Sequence, residues 1–284
     1  MKKISIIGLG LLGGSLAIDL KNRRFTDHVK GFDKDPVHTS YAKQVGIIDE
    51  EAASIDEAVK DTDIIIIAVP VSAVIKILPG VLDKISENQI VIDVASTKGT
   101  ICERVKHHTN RKRYVACHPM AGTENSGPWS AISGMFDGKA VILCDVEDSS
   151  EEAVGVIRKM FEDNLNMNPM FFNSYNHDIH VAYVSHMPHV CSFALALTVL
   201  EKEKNEKNIF NLASGGFNST VRIAKSSPDM WTPIFKDNKE NVMTVLNTYI
   251  EKLQDFKNLM EKDDYEGLYD YIFNANKIKR TLKK

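Results

Sequence analysis

Short apolar runs alternate with amphipathic stretches through the first half of the chain. The runs fall at Ile4 to Ile7, Val29 to Phe32, Ile64 to Val69, Ile90 to Val94, Tyr114 to Cys117 and Ala140 to Cys144. Continuous short runs of this kind mark strands buried on both faces. Between them, Gly14 to Asn22, Pro36 to Val45, Ser54 to Lys60, Ser72 to Ile85 and Gly99 to His107 carry helical spacing or helix-starting residues. The alternation predicts an α/β domain built on a doubly wound, mostly parallel sheet.

After Asp145 the strand signals thin out to one weak run at Met170 to Phe172. Long helical patterns follow: Asn176 to Lys204, largely apolar with Pro188 as a kink site, then Asp237 to Lys262 and Tyr265 to Lys284. These predict an all-α C-terminal domain, dividing the chain into residues 1–168 and 169–284. A long apolar helix in a small helical domain needs partners on several faces, so two chains are expected to pack together as a homodimer. The charged stretch at 201–208 reads as a solvated helix end and loop.

Composition adds mainly exclusions. With 43% hydrophobic residues, 26% charged residues and a net charge of -3, the 284-residue chain offers no electrostatic footprint for nucleic acid. Its longest apolar stretches read as too short to span a bilayer, and Met1-Lys2-Lys3 leads into a strand rather than a signal sequence, so a cytoplasmic location is expected. Cys102, Cys117, Cys144 and Cys191 are dispersed and read as structural thiols; Cys117 suits a small buried side chain better than a nucleophile.

Three groups of residues point to chemistry. Gly8, Gly10 and Gly13 follow the first strand and open a helix, the arrangement that admits a pyrophosphate at a helix N-terminus. Asp33 ends the second strand at the spacing of a ribose-binding carboxylate and favours NAD over NADP. With Leu11, Leu12, Val69 and Pro70 these residues form the predicted cofactor site. The second group, "DVASTKG" and "CHPMAGTENSGP", follows two later strands and places Ser96, Lys98, His118, Thr123, Glu124 and Ser126 around one crevice. The third is "HDIHVAYVSHMPHV", with His177, His180, His186 and His189. Zinc coordination, backbone satisfaction and recognition of anions and hydroxyls are all open for these histidines, although H-E-x-x-H is absent. Arg222 sits in a mixed apolar stretch and should face a carboxylate of either the protein or a ligand; Trp231 is core or pocket wall.

Taken in order, "GLGLLGGSLA", "STKG", "HPMAGTENSG", "HD" with "SHMPH", and "VRIAKSSPDMW" resemble the prephenate dehydrogenases of tyrosine biosynthesis over nearly the whole chain. The family commonly has Thr before the arginine, where this chain has Val221. The resemblance implies a Rossmann-type domain, a helical dimerisation domain, and oxidative decarboxylation of prephenate to 4-hydroxyphenylpyruvate with NAD as oxidant. The length leaves no room for a chorismate mutase or ACT domain, as in the minimal form of the family. No metal is expected. His118 is the expected base, because imidazole accepts a proton near neutral pH, with Ser96 orienting it or the hydroxyl. By resemblance, Arg222 binds a substrate carboxylate and His186 and His189 line the same pocket. Thr123, Glu124 and Ser126 complete the substrate side, and His177 supports or gates it. Tyrosine resembles the phenolic product and is an expected feedback ligand, with His189 as its sensor. Arogenate or cyclohexadienyl dehydrogenase activity is the near alternative, and a non-catalytic NAD-sensing dimer the distant one.

Overall fold

The computed structural model describes residues 1–204 and 209–281. In chain order the elements begin β1 (Ile4–Ile7), α1 (Leu11–Asn22), β2 (Val29–Phe32), α2 (Pro36–Gln44), β3 (Glu50–Glu51), α3 (Ile55–Val59) and β4 (Ile64–Ile67). There follow α4 (Val71–Leu82), β5 (Ile90–Asp93), α5 (Gly99–Val105), β6 (Tyr114–Pro119), β7 (Ala140–Cys144), α6 (Glu151–Lys159) and β8 (Asn168–Phe172). The remainder is helical: α7 (Ser174–Val181), α8 (Met187–Glu203), α9 (Gly215–Val221), α10 (Pro228–Asp237), α11 (Lys239–Glu261) and α12 (Tyr265–Ala275).

The eight strands form one sheet in the order β3-β2-β1-β4-β5-β6-β7-β8, parallel except at the β6–β7 step. Successive side chains of a strand point to opposite faces, so Ile64 and Ile66 of β4 enter one core layer and Ile65 and Ile67 the other. Helices cover both faces, which is why these strands read as unbroken apolar runs. Local chemistry starts the helices where the sequence suggests: Asp35 caps α2, with Pro36 in its first turn, and Ser54 and Ser150 cap α3 and α6. The Rossmann-type doubly wound sheet followed by helices is as expected. The sequence reading missed β3, whose two glutamates on a sheet edge carry no apolar signal, and α6.

The strand that carries His118 does not end at Cys117. The antiparallel partner β7 extends β6 by pairing His118 with Ile142 and Pro119 with Val141. Residues beyond Pro119 then cross over α1 as a strap. Buried Asp19 of α1 accepts hydrogen bonds from Ser133 Oγ at 2.6 Å and Gly134 N at 2.9 Å, and Ile132 N donates to Ser15 Oγ at 3.0 Å. The strap thus joins the His118 strand to the first helix.

The long helical pattern is continuous but not uniformly α. A π-helical turn at Ala182–His186 separates α7 from α8, just before Pro188, whose missing N–H cannot bond back into the preceding turn. Against the expectation from the short apolar runs, the continuous stretch Ser174–Glu203 is long and apolar enough, by length and composition, to cross a bilayer, because α7 and α8 join without a break. Its polar residues His177, Asp178 and His186 are buried inside the protein. The break in regular α geometry thus lies in the turn before the proline, where its missing donor interrupts the i→i−4 ladder.

Two compact units emerge, residues 1–238 and 239–284. Helices α7 to α10 belong to the first, with Trp231 and Ile234 of α10 buried in one of the sheet's core layers. In the second, α11 and α12 join through Phe256 and Tyr271, whose rings are 5.7 Å apart. Met243, Ile250, Leu253, Met260, Ile272 and Phe273 remain exposed there. The charged stretch expected to end α8 lies outside the described residues from 205 onward, as do the last three residues of the final helical pattern.

Packing between α1 and β1 tolerates no side chain at Gly13, where a Cβ would stand 2.0 Å from the carbonyl oxygen of Gly8. Gly13→Ala is expected to lower the unfolding free energy by about 1–3 kcal/mol through overpacking, measured by urea denaturation. Unchanged stability would show that the loop has room this geometry denies.

Candidate active site

The glycine loop leaves β1 with Gly8 at φ +100°, a conformation L side chains rarely adopt, and a Cβ there would meet the Ala68 carbonyl oxygen at 2.5 Å. Gly10 differs: a Cβ there meets nothing within 4 Å. That open approach at the N-terminal end of α1 is the space a pyrophosphate needs, with the first N–H groups of the helix facing it. Leu11 and Leu12 contribute backbone there while their side chains pack against the core. Val69 lies against Gly8, and Pro70 precedes α4.

Asp33 ties this loop to β2. Its carboxylate accepts from Leu9 N at 2.8 Å and Asp35 N at 2.9 Å, and His38 Nδ1 lies 3.5 Å away. A carboxylate so placed at the end of β2 has lone pairs left for vicinal hydroxyls and repels a phosphate in the same position. The residues present therefore fit a dinucleotide with a free 2'-hydroxyl.

His118, near the C-terminal end of β6, is buried and meets two residues of α7 end to end. Its Nδ1 lies 2.8 Å from His177 Nε2, and His177 Nδ1 lies 2.8 Å from Asp178 Oδ1. Asp178 in turn accepts from Lys98 N and Gly99 N, both at 2.8 Å. Asn238 Nδ2 donates to the Asp178 carbonyl at 2.7 Å and lies 3.1 Å from His186 Nδ1. Burial, with His177, Lys98 and His186 nearby, holds the His118 imidazole well below its ordinary pKa. Burial likewise brings His186 down to about 4, partly offset by Asp178. Both rings are neutral at physiological pH.

Lys98 does not ring the crevice as expected. It is completely buried and pairs with Asp93, which also accepts from the Tyr114 hydroxyl. The turn after β5 points the ammonium inward, where the Asp93 carboxylate compensates it. Ser96 is half-buried on the same turn, at the same edge of the sheet as His118. Cys117 is buried and its thiol is pushed well above the usual range by desolvation, which keeps it protonated.

Arg222 does face a carboxylate of the protein, one of the two partners its setting in the sequence left open. It is 56% exposed rather than enclosed by apolar neighbours, and its guanidinium pairs with Glu124 at 2.9 Å. The short helical turn at Arg222–Lys225 puts it on the surface, where the strap's Glu124 reaches it. The guanidinium also helps hold His189 below its ordinary pKa, behind the larger effect of burial. His189 donates from Nδ1 to the Ser185 carbonyl at 2.9 Å and stacks on buried Trp231 at 3.6 Å, making Trp231 a wall of this region. Thr123 accepts from Asn125 N at 3.2 Å, while exposed Ser126 contributes a carbonyl to the Ser130 hydroxyl at 2.8 Å. Neither of these bonds involves His118.

The structure thus gathers His118, His177, Asp178, Lys98, His186 and Asn238 in one polar core, and Arg222 with Glu124 and His189 beside Trp231 in a second group. Asp178 and Asn238 were missed as site residues. The adjacent "HD" pair was the available signal for the first; a lone Asn at a helix end offered none for the second. Among the described residues no group of three or more His, Cys, Asp or Glu is set to hold a metal ion.

Two family models match the chain: the prephenate dehydrogenase nucleotide-binding domain over residues 16–166 and the prephenate dehydrogenase dimerization domain over residues 173–274. A prephenate dehydrogenase of Bacillus subtilis is 29% identical over 98% of this chain and 76% of its own length. A crystal structure of prephenate dehydrogenase from A. aeolicus, in complex with hydroxyphenyl propionate and NAD+, is 32% identical. It covers 99% of this chain and 98% of its own, with a TM-score of 0.86. Synechocystis arogenate dehydrogenase is 26% identical, with a TM-score of 0.77, over 99% of this chain and all of its own.

The two depressed histidines link stability to pH. On unfolding, each recovers an ordinary pKa near 6.5 and takes up a proton that the folded form rejects. Stability is therefore expected to be full above pH 6.5 and to fall as the pH drops toward about 4, where His186 charges in the folded chain. Urea unfolding at pH 7 and pH 5 measures this, and equal free energies would contradict the assignment.

Proposed function

The chain belongs to the prephenate dehydrogenase family, and from that premise we propose that it converts prephenate and NAD+ to 4-hydroxyphenylpyruvate, carbon dioxide and NADH. The observation that carries the reading is His118, a buried imidazole kept neutral at the edge of the sheet that also holds the glycine loop.

Gly8, Gly10, Gly13, Leu11, Leu12 and Asp33 would hold the dinucleotide, with Val69 and Pro70 at its nicotinamide side. Bound there, NAD supplies the acceptor for the hydride lost from the substrate's alcohol carbon. His118 accepts the hydroxyl proton as that hydride departs. The electrons of the carbon–carboxylate bond then complete the aromatic ring, carbon dioxide leaves, and His118 returns the proton to the new phenolate oxygen. Ser96 orients the hydroxyl. Arg222 exchanges Glu124 for the side-chain carboxylate of the substrate, a bidentate partner that fixes orientation as well as charge. His186, His189, Thr123 and Ser126 shape the rest of the pocket.

Residues 1–168 form the cofactor part of this reading and 169–284 the part for substrate and dimerisation. The exposed apolar side chains of α11 and α12, in the region matched by a dimerization model, support a homodimer. A cytoplasmic enzyme, competitively inhibited by tyrosine through the region of His189, completes the proposal.

Mixing protein, NAD+ and prephenate should generate NADH, with arogenate the weaker substrate in the same assay; no NADH from prephenate would reject the function. His118→Asn is expected to lower kcat about 10²- to 10⁴-fold with NAD affinity retained. Near-normal turnover would remove His118 as the base. Arg222→Ala should instead raise the KM for prephenate about 10- to 100-fold, by loss of a charge-assisted bond. An unchanged KM would leave Arg222 as a partner of Glu124 alone.

A further inference from the structure

The hydrogen-bond chain behind His118 has a direction, and that direction fixes where its protons lie. Asp178 is the fixed end. Its two oxygens accept from the backbone N–H groups of Lys98 and Gly99, and Asn238 grips its carbonyl. An ionised carboxylate can only accept, so the His177 nitrogen 2.8 Å from it, Nδ1, carries a proton. In a neutral ring this leaves Nε2 of His177 as a bare acceptor. The nitrogen facing it at 2.8 Å, Nδ1 of His118, is then the donor. Among the described residues no protein group bonds Nε2 of His118, which is left with an unshared pair.

We propose that Asp178 and His177 are positioning residues that hold His118 as its Nδ1–H tautomer, so that Nε2 is the nitrogen offered to the substrate hydroxyl. This rests on His118 being the base of the proposed reaction. The proton from the hydroxyl arrives on Nε2, and the imidazolium so formed keeps its Nδ1–H bond to His177, whose own proton stays on the side of Asp178. Negative charge two residues away in the chain of bonds then stabilises the charged ring without moving a second proton. Because the anchor is the backbone of the turn after β5, the same contact that docks α7 on the sheet also selects the reactive nitrogen.

Asp178→Leu tests the direction by removing the acceptor at nearly constant shape. An Asn would not serve, because Oδ1 accepts from both His177 and Lys98 N and an amide would keep its oxygen there. Without the carboxylate the His177 proton is no longer fixed on Nδ1, and His118 is released from the Nδ1–H form. Side-chain ¹⁵N NMR of the histidines, assigned with a His118→Asn spectrum, should show Nδ1–H for His118 in the unaltered protein and a mixture of tautomers in Asp178→Leu. The variant's kcat should fall at least about 10-fold while KM and NAD affinity stay within about threefold. Asp178→Glu, which retains an acceptor-only group, should restore a measurable part of kcat. An Nε2–H signal for His118 in the unaltered protein overturns the proposal even if the variants fail to fold. So does an Asp178→Leu variant with unchanged tautomer and kcat. The tautomer is read without substrate: an unaltered protein with Nδ1–H on His118 but no turnover of prephenate would reject the reaction and leave the positioning intact.

Discussion

The architecture of the site depends on one carboxylate. Asp178 receives the backbone N–H groups of Lys98 and Gly99 and the imidazole of His177. Through these bonds the first helix of the C-terminal region is fastened to the turn after β5, on the edge of the sheet where ligands of doubly wound folds collect. Without that anchor, His177 would lose its orientation, and His118 would be a histidine at a strand end with no preferred nitrogen. Placing an acidic side chain against two amide donors also satisfies groups at the start of α5 that would otherwise be costly to bury.

Around this anchor the remaining polar groups are arranged by charge compensation. Lys98 is buried against Asp93 beneath the site, while Arg222 meets Glu124 at its exposed rim. The buried pair is structural in cost and electrostatic in effect, since its cation helps keep His118 unprotonated. The exposed pair is easily exchanged, because solvent screens it and both side chains are partly free. In the proposed reaction, a dianionic substrate would be served by that contrast: fixed charge below, replaceable charge above. The strap held by Asp19 carries Glu124 on the same segment that crosses the nucleotide-binding helix.

Much of this was legible in the chain itself. The strands of the sheet's centre appear as unbroken apolar runs because both of their faces are covered, and the glycine spacing with Asp33 follows from backbone requirements that few other residues meet. His118 was visible because a polar cluster directly follows a buried strand. Other features were not, for physical reasons. β3 is two glutamates long, and its strand character comes from β2 alone. The exposure of Arg222 could not be read from its apolar sequence neighbours, because it depends on how the short helical turn at Arg222–Lys225 presents the side chain at the surface. Lys98 seemed exposed beside Ser96, and only the fold reveals Asp93 and Tyr114 waiting below it. Asn238 acts across sixty residues, a distance at which sequence pattern carries no information about hydrogen bonds.

The central claim is that a buried, neutral His118 performs the proton transfer, and the pH dependence of kcat/KM for prephenate tests it most directly. The fold depresses the imidazole pKa, so the rate should remain level as the pH is lowered from 8 through 6.5 and should decline only below that value. An acid limb centred at or above pH 6.5 would contradict the account, because it would assign the essential base to a group that the fold has not desolvated.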